Sequence, residues 1–161
     1  MIANAFCIEN DLVLEFFVAF SRFEYALKRA GFATGNEKGV KADWDCFGQN
    51  LRRTAAAEEL APVLNCCTYL RQNPPKKQIL REGQLAWNDG RDPSKSDIER
   101  LLIDIRCVRN NLFHGGKFPI PDGPVEEVAR NKRLLHDSLA AMKKILDLHS
   151  CEQVKLHFTP E

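Results

Sequence analysis

The sequence predicts an all-α fold, an up-and-down bundle of roughly four to six helices. Three observations predict it. Apolar residues recur at three- and four-residue steps in several segments, helix-capping residues stand in front of those segments, and Gly- or Pro-bearing breaks separate them. At 161 residues, with hydrophobic residues at 44% and charged residues at 28%, the chain has the balance of one globular domain spanning 1–161 that buries its own core.

The first helix is expected over 11–30, where Leu12, Phe16, Phe20, Phe23 and Leu27 lie on one face and Gly31 supplies the stop. Glu24 and Lys28 stand one turn apart, in the favourable order for a surface ion pair. Asp43 is placed to cap a second helix carrying Trp44, Phe47 and Leu51. A third is expected to start near Pro62 and run through Val63, Leu64, Cys67 and Leu70 until Pro74-Pro75 ends it. From Pro74 to Pro93 the chain reads mostly as connection, with room for a short turn of helix at Ile79 to Trp87.

A long helix is expected over 96–114. Ser96 and Glu99 have capping-box spacing, Ile98, Leu101, Ile105, Val108 and Leu112 form one apolar stripe, and Gly115-Gly116 ends it. After the Pro-rich turn Pro119 to Pro124, a closing helix is expected over 124–149. Glu126 and Glu127 suit its positive end, and its stripe includes Val125, Val128, Leu135, Leu139, Met142 and Ile145 or Leu146. The tail, 150–161, alternates weakly at Val154, Leu156 and Phe158, the pattern of a short strand or an extended arm.

Composition excludes several function classes. A net charge of +1 and a pI near 7.6 argue against a broad basic surface that coats nucleic acid, because such affinity scales with the phosphates neutralised. A localised site remains permitted. The N-terminus has no basic region and meets Glu9 and Asp11 early, and no apolar run approaches the roughly 20 residues of a membrane span, so a cytoplasmic protein is expected. The six cysteines, Cys7, Cys46, Cys66, Cys67, Cys107 and Cys151, lack C-x-x-C spacing and are read as packing residues. No metal and no cofactor is expected, and zincin, P-loop and G-x-S-x-G patterns are missing.

Reactive side chains crowd at one place, Arg106 to Lys117. With Arg109 as zero on an ideal wheel, Arg106 lies at about 60°, Asn110 at about 100° and His114 at about 140°, away from the apolar stripe. These residue types suit cleavage of RNA by its own 2′-hydroxyl, which needs two proton transfers and stabilisation of charge on phosphorus. Histidine moves protons near neutral pH, and arginine presents a permanently charged fork to phosphate oxygens. Asn110, one turn from His114, can orient either partner. The negative end of the helix dipole favours protonated His114, which leans its role toward general acid or phosphate binding. Arg106 and Lys117 are candidate substrate-binding residues, and Glu24 is a candidate accessory one. The plainer reading is that Arg106 and Arg109 complement a helix C-terminus and that His114-Gly115-Gly116 is a cap.

Elsewhere the titratable residues carry less. His136 reads as a packing residue, His149 and His157 lie at the helix end and in the tail, and Lys76-Lys77 and Lys143-Lys144 read as solvated charge or contacts to an RNA backbone.

The segment Arg109-Asn110-Asn111-Leu112-Phe113-His114 resembles the R-x-x-x-x-H signature of HEPN ribonucleases, with a polar residue directly after the arginine. The stretch from Phe20 to Lys28 is similar to first helices of HEPN-like proteins from plasmids and defence islands. The resemblance implies a HEPN-like bundle that dimerises, so that two motifs form one metal-independent endoribonuclease cleft, in a toxin or phage-defence setting with an antitoxin or other regulatory partner. Ile103 and Phe113 project among the polar residues, as expected for a face that meets a second subunit. In one respect the chain departs from the pattern. The tyrosine that such toxins carry two residues after the histidine is Gly116 here, which argues against regulation by AMPylation. Two alternatives stay open: a catalytically inactive HEPN-fold module that binds RNA, a nucleotide or a protein, and a helical interaction protein with no role on nucleic acid.

Overall fold

The computed structural model describes residues 10–88, 91–113 and 125–159. Within them the chain is mostly helical, as the periodicity predicts. The order is α1 (Asn10–Arg29), β1 (Ala33–Asn36), β2 (Gly39–Ala42), α2 (Trp44–Thr54), α3 (Ala57–Asn65), α4 (Thr68–Gln72), β3 (Lys77–Arg81), β4 (Gln84–Asn88), α5 (Asp97–Phe113), α6 (Val125–Ile145) and α7 (Glu152–Phe158). A 3-10 turn at His149–Cys151 leads into α7.

The stripe of α1 fills the centre, where Phe16, Phe20, Phe23 and Leu27 are buried and the helix packs against α6 and α7. Trp44, at the start of α2, stacks on Phe20 and Phe23 with ring centroids 5.3 Å from each. Its indole Nε1 donates to Glu24 Oε1 at 3.0 Å, which satisfies the one polar atom that burial of a tryptophan leaves behind. Phe47 meets Phe23 and Phe32 edge-on. Each such ring pair contributes about 0.5–1.5 kcal/mol beyond the area it buries.

Caps and a close approach fix α5. Asp43 Oδ1 accepts from Cys46 N at 2.9 Å, so α2 starts where the sequence places it. A Cβ at Gly48 would lie 3.2 Å from Leu102 Cδ1 and 3.3 Å from Glu99 Cγ, so the missing side chain lets α2 press against α5. Ser96 N and Oγ both donate to Glu99 Oε2, at 2.9 and 2.7 Å, and these bonds hold the buried Glu99 carboxyl below its ordinary range.

Four expectations require correction. The segment after Pro74 is an antiparallel hairpin, β3 with β4, in which Leu80 pairs with Leu85 and Gln78 with Trp87. Its two-residue turn, Glu82 and Gly83, has positive φ at both positions (51° and 78°), the backbone that matches the twist of paired strands. A helical turn at Ile79 to Trp87 is therefore ruled out. A second hairpin, β1 with β2, follows α1; it turns through an Asn36 side chain that accepts from Lys38 N at 2.9 Å.

The third helix begins at Ala57 rather than near Pro62, because Glu59 Oε2 caps Ala56 N at 3.0 Å. It breaks at Cys66 and restarts as α4, whose Leu70 N donates to Asp137 Oδ2 at 2.9 Å. The tail is a helix, not a strand or arm: Cys151 and Val154 are buried and Phe158 packs on the core, at helical spacing, while Leu156 faces solvent. Arg22 Nε donates to Phe158 O at 2.8 Å and Nη2 bonds the same carbonyl, capping the C-terminal end of α7. Splitting the third helix and folding the tail bring the described helices to seven.

Candidate functional site

The last turns of α5 stand beside the foot of the β3–β4 hairpin, and a groove of about 360 Å³ runs between them. Its walls are Lys77 and Gln78 from β3 and Ile103, Arg106 and Asn110 from α5. An adjoining hollow of about 280 Å³ shares Lys77 and Ile103 and reaches Arg91, Lys95 and Asp104.

The hairpin is fastened to α5 at both feet by a second stripe that runs beside the apolar one. Asn111, buried, donates from Nδ2 to Lys76 O at 2.8 Å, and the Cys107 thiol lies 3.4 Å from the same carbonyl. At the far foot, Arg91 Nη2 bonds Asp104 Oδ2 at 3.1 Å and Arg71 O at 3.2 Å. Burial pushes the Asp104 carboxyl up from an ordinary 3.8 to about 6, against the opposing pull of Arg91. The sequence pattern gave Asp104, Cys107 and Asn111 no joint role, since Asp104 and Asn111 each resemble a solvated helix flank and Cys107 a packing residue. The available signal was their spacing: 104, 107 and 111 repeat with the period of a helix face.

The expected site residues divide between two sides of α5. Arg106 and Asn110 line the groove, with Arg106 Nη1 3.5 Å from Asp45 Oδ1 on α2. Arg109 turns toward α1. Its guanidinium carbon lies 5.7 Å from the Phe20 ring centroid and 5.5 Å from that of Phe113, and Nη1 donates to Asn110 Oδ1 at 3.1 Å. The rings hold the guanidinium plane by cation–π attraction, and Asn110 connects it to the groove. His114 and Lys117 lie outside the described residues, as do Gly115-Gly116, the Pro119 to Pro124 turn and Cys7.

Glu24 accepts from Trp44 inside the aromatic cluster and forms no ion pair with Lys28, so its carboxylate serves the core and does not line the groove. Ile103 and Phe113 project as expected, 40% and 38% exposed, and the Phe113 ring lies 5.4 Å from that of the exposed Phe17. His136 is exposed rather than packed, and His149 Nδ1 lies 2.8 Å from Glu152 Oε1 at the surface.

Cysteine chemistry is not favoured where the thiols are deepest. Burial pushes Cys67 and Cys151 up to about 12, so neither is a thiolate at neutral pH. Among the described residues no group of three or more His, Cys, Asp or Glu side chains is placed to hold a metal ion. No described helix is long and apolar enough to cross a membrane. No protein-family model, curated protein or solved structure matches the chain.

Proposed function

We propose that the chain is an endoribonuclease of the HEPN type, an up-and-down bundle whose α5 end cuts RNA without a metal. The observation that carries the reading is the hydrogen bond from Arg109 to Asn110 at the lip of a groove that Arg106 and Lys77 make cationic. In the reaction the substrate's 2′-oxygen attacks the adjacent phosphorus and loses its proton to solvent. The bond from phosphorus to the 5′-oxygen breaks, and protonated His114 gives that oxygen a proton. The products are a 2′,3′-cyclic phosphate and a 5′-hydroxyl. Arg109 neutralises charge on the phosphoryl oxygens and Asn110 positions it. Arg106 and Lys117 hold the flanking phosphates.

A second copy of the chain is the expected partner. Leu14, Phe17 and Val18 on α1 and Phe113 on α5 leave an exposed apolar surface next to Arg109, which suits a two-fold contact that brings two motifs together. One observation favours a binding module that does not cut: Arg109 rests over Phe20 and Phe113 instead of lining the groove.

Purified wild type and His114→Ala, compared on labelled RNA in a chelator, separate the two. Cleavage by wild type alone, reduced at least 100-fold in the variant and leaving cyclic phosphate ends, supports the enzyme. Equal cleavage by both removes His114 from the mechanism. Binding by both with no cleavage supports the module.

A further inference from the structure

The hollow of about 280 Å³ beside the groove lies between α5 and the two feet of the β3–β4 hairpin. Pro74, Pro75 and Ile103 supply its apolar wall, and Lys77, Arg91, Lys95 and Arg100 bring positive charge to it. A proline carries no N–H, so the first two offer no backbone donor there. Two acids share the lining, and each already has donors of its own. Asp104 Oδ2 accepts from Arg91 Nη2 at 3.1 Å, while Asp92 Oδ1 accepts from Ser94 N at 2.9 Å and from Ser94 Oγ at 2.6 Å.

Among the described residues the remaining cations exceed their counter-ions. Asp97 is shared between Arg71, at 3.1 Å, and Arg100, at 3.7 Å. Glu99 is shared between Arg52 and Lys95, each at 3.6 Å, and its Oε2 also accepts from Ser96. Lys95 and Arg100 thus stand beyond hydrogen-bond distance of the carboxylates that balance them. Arg100 Nη2 donates to Pro93 O at 3.0 Å, but its Nε is buried and meets no acceptor among the described residues. A buried donor without an acceptor is destabilising, more so on a charged group, and a ligand oxygen placed there removes that penalty. The ligand that meets these demands is an anion with several oxygens, which arginine binds through its fork and lysine as a point charge; phosphate is such a group.

Lys77 and Ile103 belong to the groove as well as to the hollow, so a chain of phosphates can occupy both. Along α5, Arg100 and Asn110 are separated by about 15 Å at the rise of an ideal helix. We infer that the hollow is a phosphate subsite: it takes a phosphate of the strand that lies in the groove, beyond the link being cut, on Arg100 Nε with Lys95 and Lys77. The inference rests on the ribonuclease reading for the identity of the strand and deepens it, since a dinucleotide whose one linking phosphate occupies the groove does not reach the hollow.

The test uses the full chain and a short single-stranded RNA carrying 2′-O-methyl groups, which cannot be cut by its own hydroxyl. In NMR spectra of the wild type, the Nε–Hε signal of Arg100, assigned by its loss in Arg100→Lys, is expected to shift on titration with the strand. Anisotropy of the end-labelled strand should show Lys95→Gln weakened roughly fivefold, with the slope of log affinity against log salt smaller by about 0.7. A 2′-O-methyl dinucleotide should bind wild type and Lys95→Gln alike. An unmoved Arg100 signal, or equal affinity and equal salt slope in wild type and Lys95→Gln, overturns the subsite, even if wild type cuts unmodified RNA and the ribonuclease reading stands. A shifted signal and a smaller slope without any cleavage of unmodified RNA support the subsite and remove the ribonuclease. A signal that responds to inorganic phosphate and not to the strand assigns the hollow to a free anion and overturns the inference.

Discussion

The two tryptophans are treated in opposite ways. Trp44 is 3% exposed, stacked against two rings and hydrogen-bonded through its indole nitrogen to Glu24. Trp87 is 44% exposed on a two-stranded ribbon whose attachments to α5 lie at its feet. The same residue type is therefore part of the core on the α1–α2 side and partly exposed on the hairpin. What differs is the support. The first is enclosed by the rings of α1 and bonded to Glu24, while the second sits on a two-stranded ribbon that polar bonds at its feet tie to α5.

Substitution should break this comparison most strongly at Trp44. Trp44→Ala is expected to cost about 3–5 kcal/mol, by loss of ring contacts and by leaving Glu24 without its indole partner. Trp87→Ala should stay within about 0.5 kcal/mol of wild type. Thermal and denaturant unfolding measure both. Similar losses at the two positions would mean that Trp87 contributes to the fold as much as the buried Trp44 does.

A smaller effect concerns the bonds at the hairpin's far foot. The folded value for Asp104, about 6, lies above its ordinary 3.8, so between pH ~4 and ~6 the folded chain holds a proton that the unfolded chain has released. Stability from this group is therefore greatest below pH ~4, falls as pH rises through that window and is level above it. The fall is about 2 kcal/mol, after allowance for the water that reaches the half-exposed Arg91. Denaturation midpoints across pH should show that component in wild type and not in Asp104→Asn. Parallel profiles would show that the carboxyl is better hydrated than its burial implies.

Much of the helical core was legible because one periodicity governs it. Phe16, Phe20, Phe23 and Leu27 repeat at the step of a buried face, and capping carboxylates at Asp43 and Glu99 mark real helix starts. The hairpin was illegible for a physical reason. Its turn is Glu82-Gly83, a weaker signal than Asn-Gly or Asp-Gly, and its strands are held by contacts with α5 that no local pattern announces. The tail misled in another way. Val154, Leu156 and Phe158 alternate, but Leu156 is exposed, and the inward set of buried Cys151 and Val154 with partly buried Phe158 becomes visible only once α1 is there to receive it.

At the site, a helical wheel correctly grouped Arg106 with Asn110, because both positions depend only on helix geometry. It did not show that Arg109 would settle over Phe20 and Phe113, since that contact depends on how α1 lies against α5. The trio Asp104, Cys107 and Asn111 fell outside the reading because its partners are backbone carbonyls and an arginine remote in sequence.

The ribonuclease reading requires RNA to lie in the groove between α5 and the hairpin. Photo-crosslinking of a thiouridine-substituted, 2′-O-methylated strand to the wild-type chain, followed by mapping of the modified peptides, reads out where the strand lies. Adducts concentrated on the Lys77, Arg106 and Asn110 walls of the groove are the result expected. Adducts confined to α6 or to the outer face of α1, with the hairpin unmarked, would contradict it.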